Sequence, residues 1–186
     1  MCIRDSNNES ANPGISRFSC TSVLDEALIA QWNAFHFHHI QNKSIWLSII
    51  CGALIAVIGA VMLIMDLRAG SDMLISAVIV LAGALILSMG IRTPKMNEKR
   101  MKARYAGSQR QYAFYDHYLS VRTGGDMAEC PYNRIKAVYA AEGCWYLYTF
   151  SNSAYIVSEQ GFSQGDAESF NAFLKSTFPD QFHQIS

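Results

Sequence analysis

Two long runs without an Asp, Glu, Lys, Arg or His dominate the pattern of apolar and polar positions. The first, Ser44 to Met65, reads SIWLSIICGALIAVIGAVMLIM, and the second extends from Met73 to Ile91. Each is long enough to cross the ~30 Å hydrocarbon core of a bilayer as a helix. The polar segment 66–72, with Asp66, Arg68, Gly70 and Asp72, is too short for anything but an antiparallel hairpin. A helical hairpin buried in a soluble core is the competing reading, but adjacent charge-free runs leave no polar face for water. Gly52, Ala56, Gly59 and Ala60 on the first run, and Ala82, Gly83 and Gly90 on the second, let backbones approach closely. Such spacing serves a dimer or a hairpin, and the hairpin is the expected use.

Before the first span, Arg17 to Cys20 reads as a short strand, and Ser22-Val23-Leu24-Asp25 has the form of a capping box. Leu24, Leu28, Trp32 and Phe35 then recur at helical spacing, so 17–43 holds a strand and an amphipathic juxtamembrane helix ending near Asn42. Its His36, His38 and His39 invite a metal reading, since His36 and His39 share a face. With no carboxylate or fourth ligand at useful spacing, interfacial helix residues are the better account. No catalytic, cofactor-binding or metal-ligating residue is therefore assigned, and no cofactor is expected.

Beyond the second span, 92–110 reads as a basic linker interrupted by Pro94. From Gln111 the pattern changes to short strands rich in aromatic and β-branched residues. Tyr112 to Tyr115, Tyr118 to Arg122, Met127 to Cys130, Tyr132 to Tyr139, Trp145 to Phe150 and Ala154 to Val157 are the candidates. Asp116-His117, Gly124-Gly125, Glu142-Gly143 and Ser151 to Ser153 supply the turns. A last helix over Gly165 to Phe178 carries Phe170, Phe173, Leu174 and Phe178 on one stripe, the spacing for packing on a sheet. The expected fold is an α+β membrane protein: an antiparallel two-helix transmembrane hairpin plus a small antiparallel β-sheet module, 111–180, closed by a C-terminal helix.

Charge sets the orientation. The 186 residues carry 15 basic and 15 acidic side chains. Yet Arg92, Lys95, Lys99, Arg100, Lys102, Arg104 and Arg110 cluster after the second span against Glu98 alone. In a soluble protein such a cluster suits nucleic acid; following an apolar run it suits the anionic cytoplasmic leaflet, and no nucleic-acid partner is expected. Basic residues in short flanks stay cytoplasmic, so both termini are expected in the cytoplasm of a multi-pass cell-membrane protein, with 66–72 outside. The stretch Lys95 to Arg104 would lie against anionic lipid headgroups, at about 1 kcal/mol per basic residue near the surface. Neither span holds the Asp, Glu, Lys, Arg or His of a proton relay or ion pathway, which argues against a transporter acting alone. Cys20, Cys51, Cys130 and Cys144 form no CxxC pair and fit a reducing compartment. The opening Met1 to Ser6 reads as a translated library adaptor, and 1–16 as scar plus disordered lead.

Several runs resemble the YcxB-like family of bacterial membrane proteins: Tyr112 to Val121, Pro131 to Tyr139, Tyr146 to Tyr148, Ala154 to Val157, Gly161-Phe162 and Gly165-Asp166. The resemblance extends from about Phe18 to Phe178. It implies a sheet-plus-helix module similar to bacterial pleckstrin-homology-like (PH-like) domains on a two-span anchor, and no established activity. Ser158-Glu159-Gln160 departs from relatives, which often place a basic residue or proline before the Gly-Phe pair, and argues against a basic ligand pocket there.

Gly161 to Gly165 also matches the G-x-S-x-G nucleophile elbow. The bland account is that Ser163 caps the last helix with Asp166. An α/β-hydrolase needs a longer parallel sheet and an acid and histidine in order, so no enzyme is expected. Tyr132, Tyr139, Tyr146 and Tyr148 either build a binding surface or fill the core. Two functions stay open: a membrane-anchored binding module for a protein partner or lipid headgroups, or an accessory subunit of a larger membrane complex acting through the hairpin.

Overall fold

The computed structural model describes residues 15–151 and 153–185, so most of the expected scar and lead lies outside the described residues. Elements follow in the order β1 Phe18–Leu24, α1 Glu26–Phe35, a π-helical turn His36–Ile40, α2 Asn42–Ala69, α3 Leu74–Tyr105, β2 Ser108–Phe114, β3 Tyr118–Thr123, β4 Asp126–Pro131, β5 Ile135–Ala141, β6 Cys144–Thr149, β7 Ala154–Ser158, β8 Phe162–Gln164, α4 Ala167–Thr177 and β9 Phe182–Gln184. They form two compact units, one from Asp25 to Ala106 and one from the residues on either side of it.

The second unit is a sheet module whose first strand lies far away in sequence. β1 pairs antiparallel with β2 along its full length, from Phe18 opposite Phe114 to Leu24 opposite Ser108. At the open end the Gly107 amide donates to the Leu24 carbonyl at 2.9 Å. A sheet module beginning at Gln111 is thus incomplete. It starts at β1, and the whole of 25–106 is inserted into one β-hairpin. β1 is also interior, since β8 pairs along its other edge in a sheet ordered β4-β3-β2-β1-β8. The strand expected over Arg17 to Cys20 runs on to Leu24, and the helix expected to open at Ser22 opens at Glu26. Instead Ser22 is a buried strand residue whose hydroxyl accepts from the Ser158 amide at 3.1 Å, and Asp25 is the helix cap.

A second sheet, β7-β6-β5-β9, faces the first across the core, with β9 parallel to β5. Period-2 alternation sends Phe18, Cys20, Tyr112, Phe114, Leu119 and Val121 inward from one sheet and Val138, Trp145, Leu147 and Val157 from the other. α4 closes the core with Phe170, Leu174 and Phe178. Phe170 is the hub of this aromatic cluster: ring centroids of Phe114, Trp145, Phe162 and Phe18 lie 4.7, 5.0, 5.0 and 5.3 Å from its own. The cap of α4 is Asp166, whose carboxylate accepts from the Ser169 amide at 2.8 Å, and not Ser163. Gly165 permits the turn before it, with φ of 82° and no room for a Cβ beside the Phe18 ring.

In the other unit α2 and α3 form the expected antiparallel pair. The Lys- and Arg-rich segment after Ile91 is not a linker, because α3 continues through Pro94 to Tyr105. Proline removes one helical hydrogen bond and normally marks a boundary. Here α1 packs against the same turns: the Asn33 side chain donates to the Pro94 carbonyl at 3.2 Å and accepts from the Asn97 amide at 2.9 Å. Lys102 adds ion pairs to Glu98 at 2.9 Å and Glu26 at 3.9 Å.

Candidate functional site

The hairpin owes its close packing to small side chains. A Cβ on Gly83 would stand 2.5 Å from the Ala56 nitrogen, one on Gly52 2.7 Å from the Leu87 nitrogen, and one on Gly59 2.8 Å from the Val80 nitrogen. Gly90 meets Ile49 in the same register. The expected intramolecular use of these positions is what the structure has, except that Ala60 and Ala82 face outward. Away from the seam the helices are bare of protein: Trp46, Leu47, Leu54, Val57, Leu74, Ile75, Leu81 and Leu85 are all more than half exposed. Only 11% of the most apolar stretch of α2 and 17% of that of α3 is buried, far below what the core helix of a soluble protein shows.

At the polar end of the same unit, Arg92, Lys95, Lys99, Arg100 and Arg104 are exposed on α3, whereas Lys102 is half-buried in its ion pairs. The Glu98 carboxylate beside it raises the Lys102 ammonium above the ordinary lysine value. Lys43 stands exposed near the start of α2.

The three histidines fall on or at the start of the π-helical turn that joins α1 to α2. His36 stacks on Trp32 at 5.3 Å and His39 on Phe35 at 4.7 Å, each one helical turn back. Burial lowers the His36 pKa below the usual imidazole value, favouring the neutral ring. Among the described residues no group of three His, Cys, Asp or Glu side chains is placed to hold a metal ion.

The tyrosines singled out from sequence are largely interior. Tyr146 and Tyr148 are buried on β6, a strand covered on both faces, while the Tyr132 hydroxyl donates to the Tyr115 carbonyl at 2.6 Å. Tyr139 is half-buried and stacks on His183 at 5.1 Å. These residues do not make an exposed binding surface.

Ser163 of the G-x-S-x-G match sits on β8, where its hydroxyl donates to the Ser19 carbonyl at 3.2 Å. His183 belongs to β9 in the other sheet. Gly161 is required because a Cβ would collide with the Thr21 carbonyl of β1. The glycines of that motif therefore serve close strand and turn packing. A cleft of about 300 Å³ opens between the β5–β6 turn and α4, edged by Glu142, Glu159 and Glu168 with Cys144 and Trp145 below. The indole nitrogen of Trp145 donates to the side-chain Oδ1 of Asn171 at 3.0 Å. Burial pushes the Cys144 thiol up to about 11 and that of Cys20 up to about 12, so both are held as neutral thiols and poor nucleophiles.

Residues 114–174 match the family model described as YcxB-like protein. The matched stretch begins at the last residue of β2 and ends inside α4. It covers most of the sheet module and bears out the family resemblance there. Comparisons with curated proteins and with solved structures give no match.

Proposed function

We propose that this chain, which carries a YcxB-like domain at residues 114–174, is a two-span membrane protein that presents a PH-like binding module to the cytoplasm. The observation that carries this is the bare apolar surface of α2 and α3, which no element among the described residues covers. Burying those side chains in hydrocarbon is worth about 25 cal/mol for each Å² removed from water, whereas leaving them in water invites aggregation.

Strand pairing supports the topology independently. The chain leaves the sheet at Leu24 and returns at Gly107, and these ends are hydrogen-bonded neighbours. An inserted segment that starts and ends at one place crosses a bilayer an even number of times, so both apolar helices span or neither does. The greater number of basic residues at the Lys43 and Arg92 end than at the 66–72 turn then favours a cytoplasmic module. A PH-like architecture is supported by two facing sheets, antiparallel except for the short parallel strand β9, closed by α4.

Extraction and labelling test the reading. Membranes washed with alkaline carbonate should retain the protein. In intact cells an impermeant maleimide should label Ser71→Cys, while Gln109→Cys should react only after permeabilisation. Release by carbonate would overturn membrane insertion, and the reverse labelling pattern would overturn the orientation.

A further inference from the structure

We infer that anionic headgroups are bound by a collar drawn from both helices, Lys43, Arg92 and Lys95 with Trp46 at the same level, and not by the distal basic positions of α3. This rests on the membrane reading above and narrows it to particular side chains. The register that sets Gly59 beside Val80 and Gly90 beside Ile49 holds through the whole seam. Carried one turn further, it places Arg92 level with Leu47 and Lys95 level with Ser44. Lys43 and Trp46 therefore stand within about 6 Å of both cations along the axis, although they come from the other helix. All four side chains are exposed, with Trp46 at 59%. Tryptophan favours the headgroup boundary, and lysine and arginine extend their charge past an apolar stem.

Height separates this collar from the rest of the basic segment. Ile91 is the last apolar residue of the span, and a helix rises about 1.5 Å per residue, so Lys95 stands roughly 6 Å beyond it. That is within the polar layer of a leaflet, about 5–7 Å deep. Lys99, Arg100 and Arg104 stand roughly 12, 13 and 20 Å beyond it, about 5 Å or more outside that polar layer, where water and salt with a ~8 Å screening length weaken their attraction to the headgroups. α3 does not lie down on the surface, because α1 is fastened along those turns through Asn33, Asn97 and the Lys102 ion pairs. Lys102 is engaged in that fastening and is a positioning residue.

Two variants of equal charge change discriminate between the sets in the full-length protein, reconstituted in nanodiscs of phosphatidylcholine with phosphatidylglycerol. The readout is the preference for spin-labelled phosphatidylglycerol over phosphatidylcholine in the motionally restricted lipid. Lys43→Gln/Arg92→Gln/Lys95→Gln should lower that preference, by up to about fivefold for each surface charge removed. Lys99→Gln/Arg100→Gln/Arg104→Gln should lower it clearly less, because those charges stand in water outside the polar layer, where salt weakens their attraction. An equal loss in both variants, a loss only in the distal one, or no loss in either overturns the collar. Each of those results leaves carbonate resistance intact, so failure of the collar is distinguishable from failure of membrane insertion.

Discussion

The insertion of 25–106 into a single β-hairpin makes the sheet module separable, provided that β1 comes with it. Replacing residues 25–106 by Pro-Asp leaves Pro-Asp-Gly107 as a three-residue loop between Leu24 and Ser108. Such loops need a residue of positive φ at their last position, and Gly107 already has φ of 79°. This joined chain should be soluble, monomeric and cooperatively folded. A fragment from Gln111 to Ser186 should not be. It lacks Phe18, Cys20, Ser22 and Leu24, at 9%, 0%, 1% and 3% exposure, and it frees the edges of β2 and β8 that β1 joins. Truncating a buried phenylalanine costs about 3–5 kcal/mol, so Phe18 alone, a member of the core, accounts for that much. A domain of this size has only about 5–15 kcal/mol in total. Amide NMR dispersion and a thermal melt of the two proteins decide the matter. A shorter fragment that matches the joined chain in dispersion and melting, or a joined chain that fails to fold, would refute the account of β1 as an interior strand.

Other expectations follow from single contacts. Phe170→Ala in the joined module empties the centre of the aromatic cluster and should cost about 3–5 kcal/mol in denaturant unfolding, with Phe173→Ala, at the half-buried margin, costing less. Gly83→Val in the full chain forces a side chain into Ala56 and should separate α2 from α3, seen as lost crosslinking between cysteines placed at Ser48 and Gly90. Asp166 has its carboxyl held below the ordinary 3.8 by the Ser169 amide and hydroxyl. A depressed folded value gives stability that is present above 3.8 and is lost as pH falls through the lower folded value. The melting temperature of Asp166→Asn should accordingly fall less than that of the unaltered protein on going from neutral pH to below 3.8, and parallel curves would exclude the cap as the cause.

Much of this protein is legible in its sequence, and the failures share a cause. The two apolar helices, the turn between them, β3, β4, β6, β7 and α4 are written in local composition and period, and each begins within a few residues of its expected place, although α3 runs on past Ile91 to Tyr105. The misreadings of Ser22, Ser163 and the segment after Pro94 are all places where a local signal met a distant partner. Ser22 has the right residues after it for a helix cap, yet β2 and the Ser158 amide hold it in a strand. Pro94 argues for a helix end, yet α1 supports the helix beyond it. The tyrosines of β6 look like surface candidates because a covered outer face cannot be told from a solvated one by alternation.

By itself, then, the sequence determined what water and hydrocarbon decide residue by residue: which segments are apolar enough to leave water, which alternate as strands, and which end carries the charge. Only the tertiary structure decided which segments belong together. β1 is joined to β2 across the entire helical hairpin because backbone hydrogen bonds and the Phe18 and Cys20 contacts are made in space and leave no local mark in the chain. The same holds for the collar, since Lys43 and Lys95 come level only through the glycine seam that sets the register of two helices.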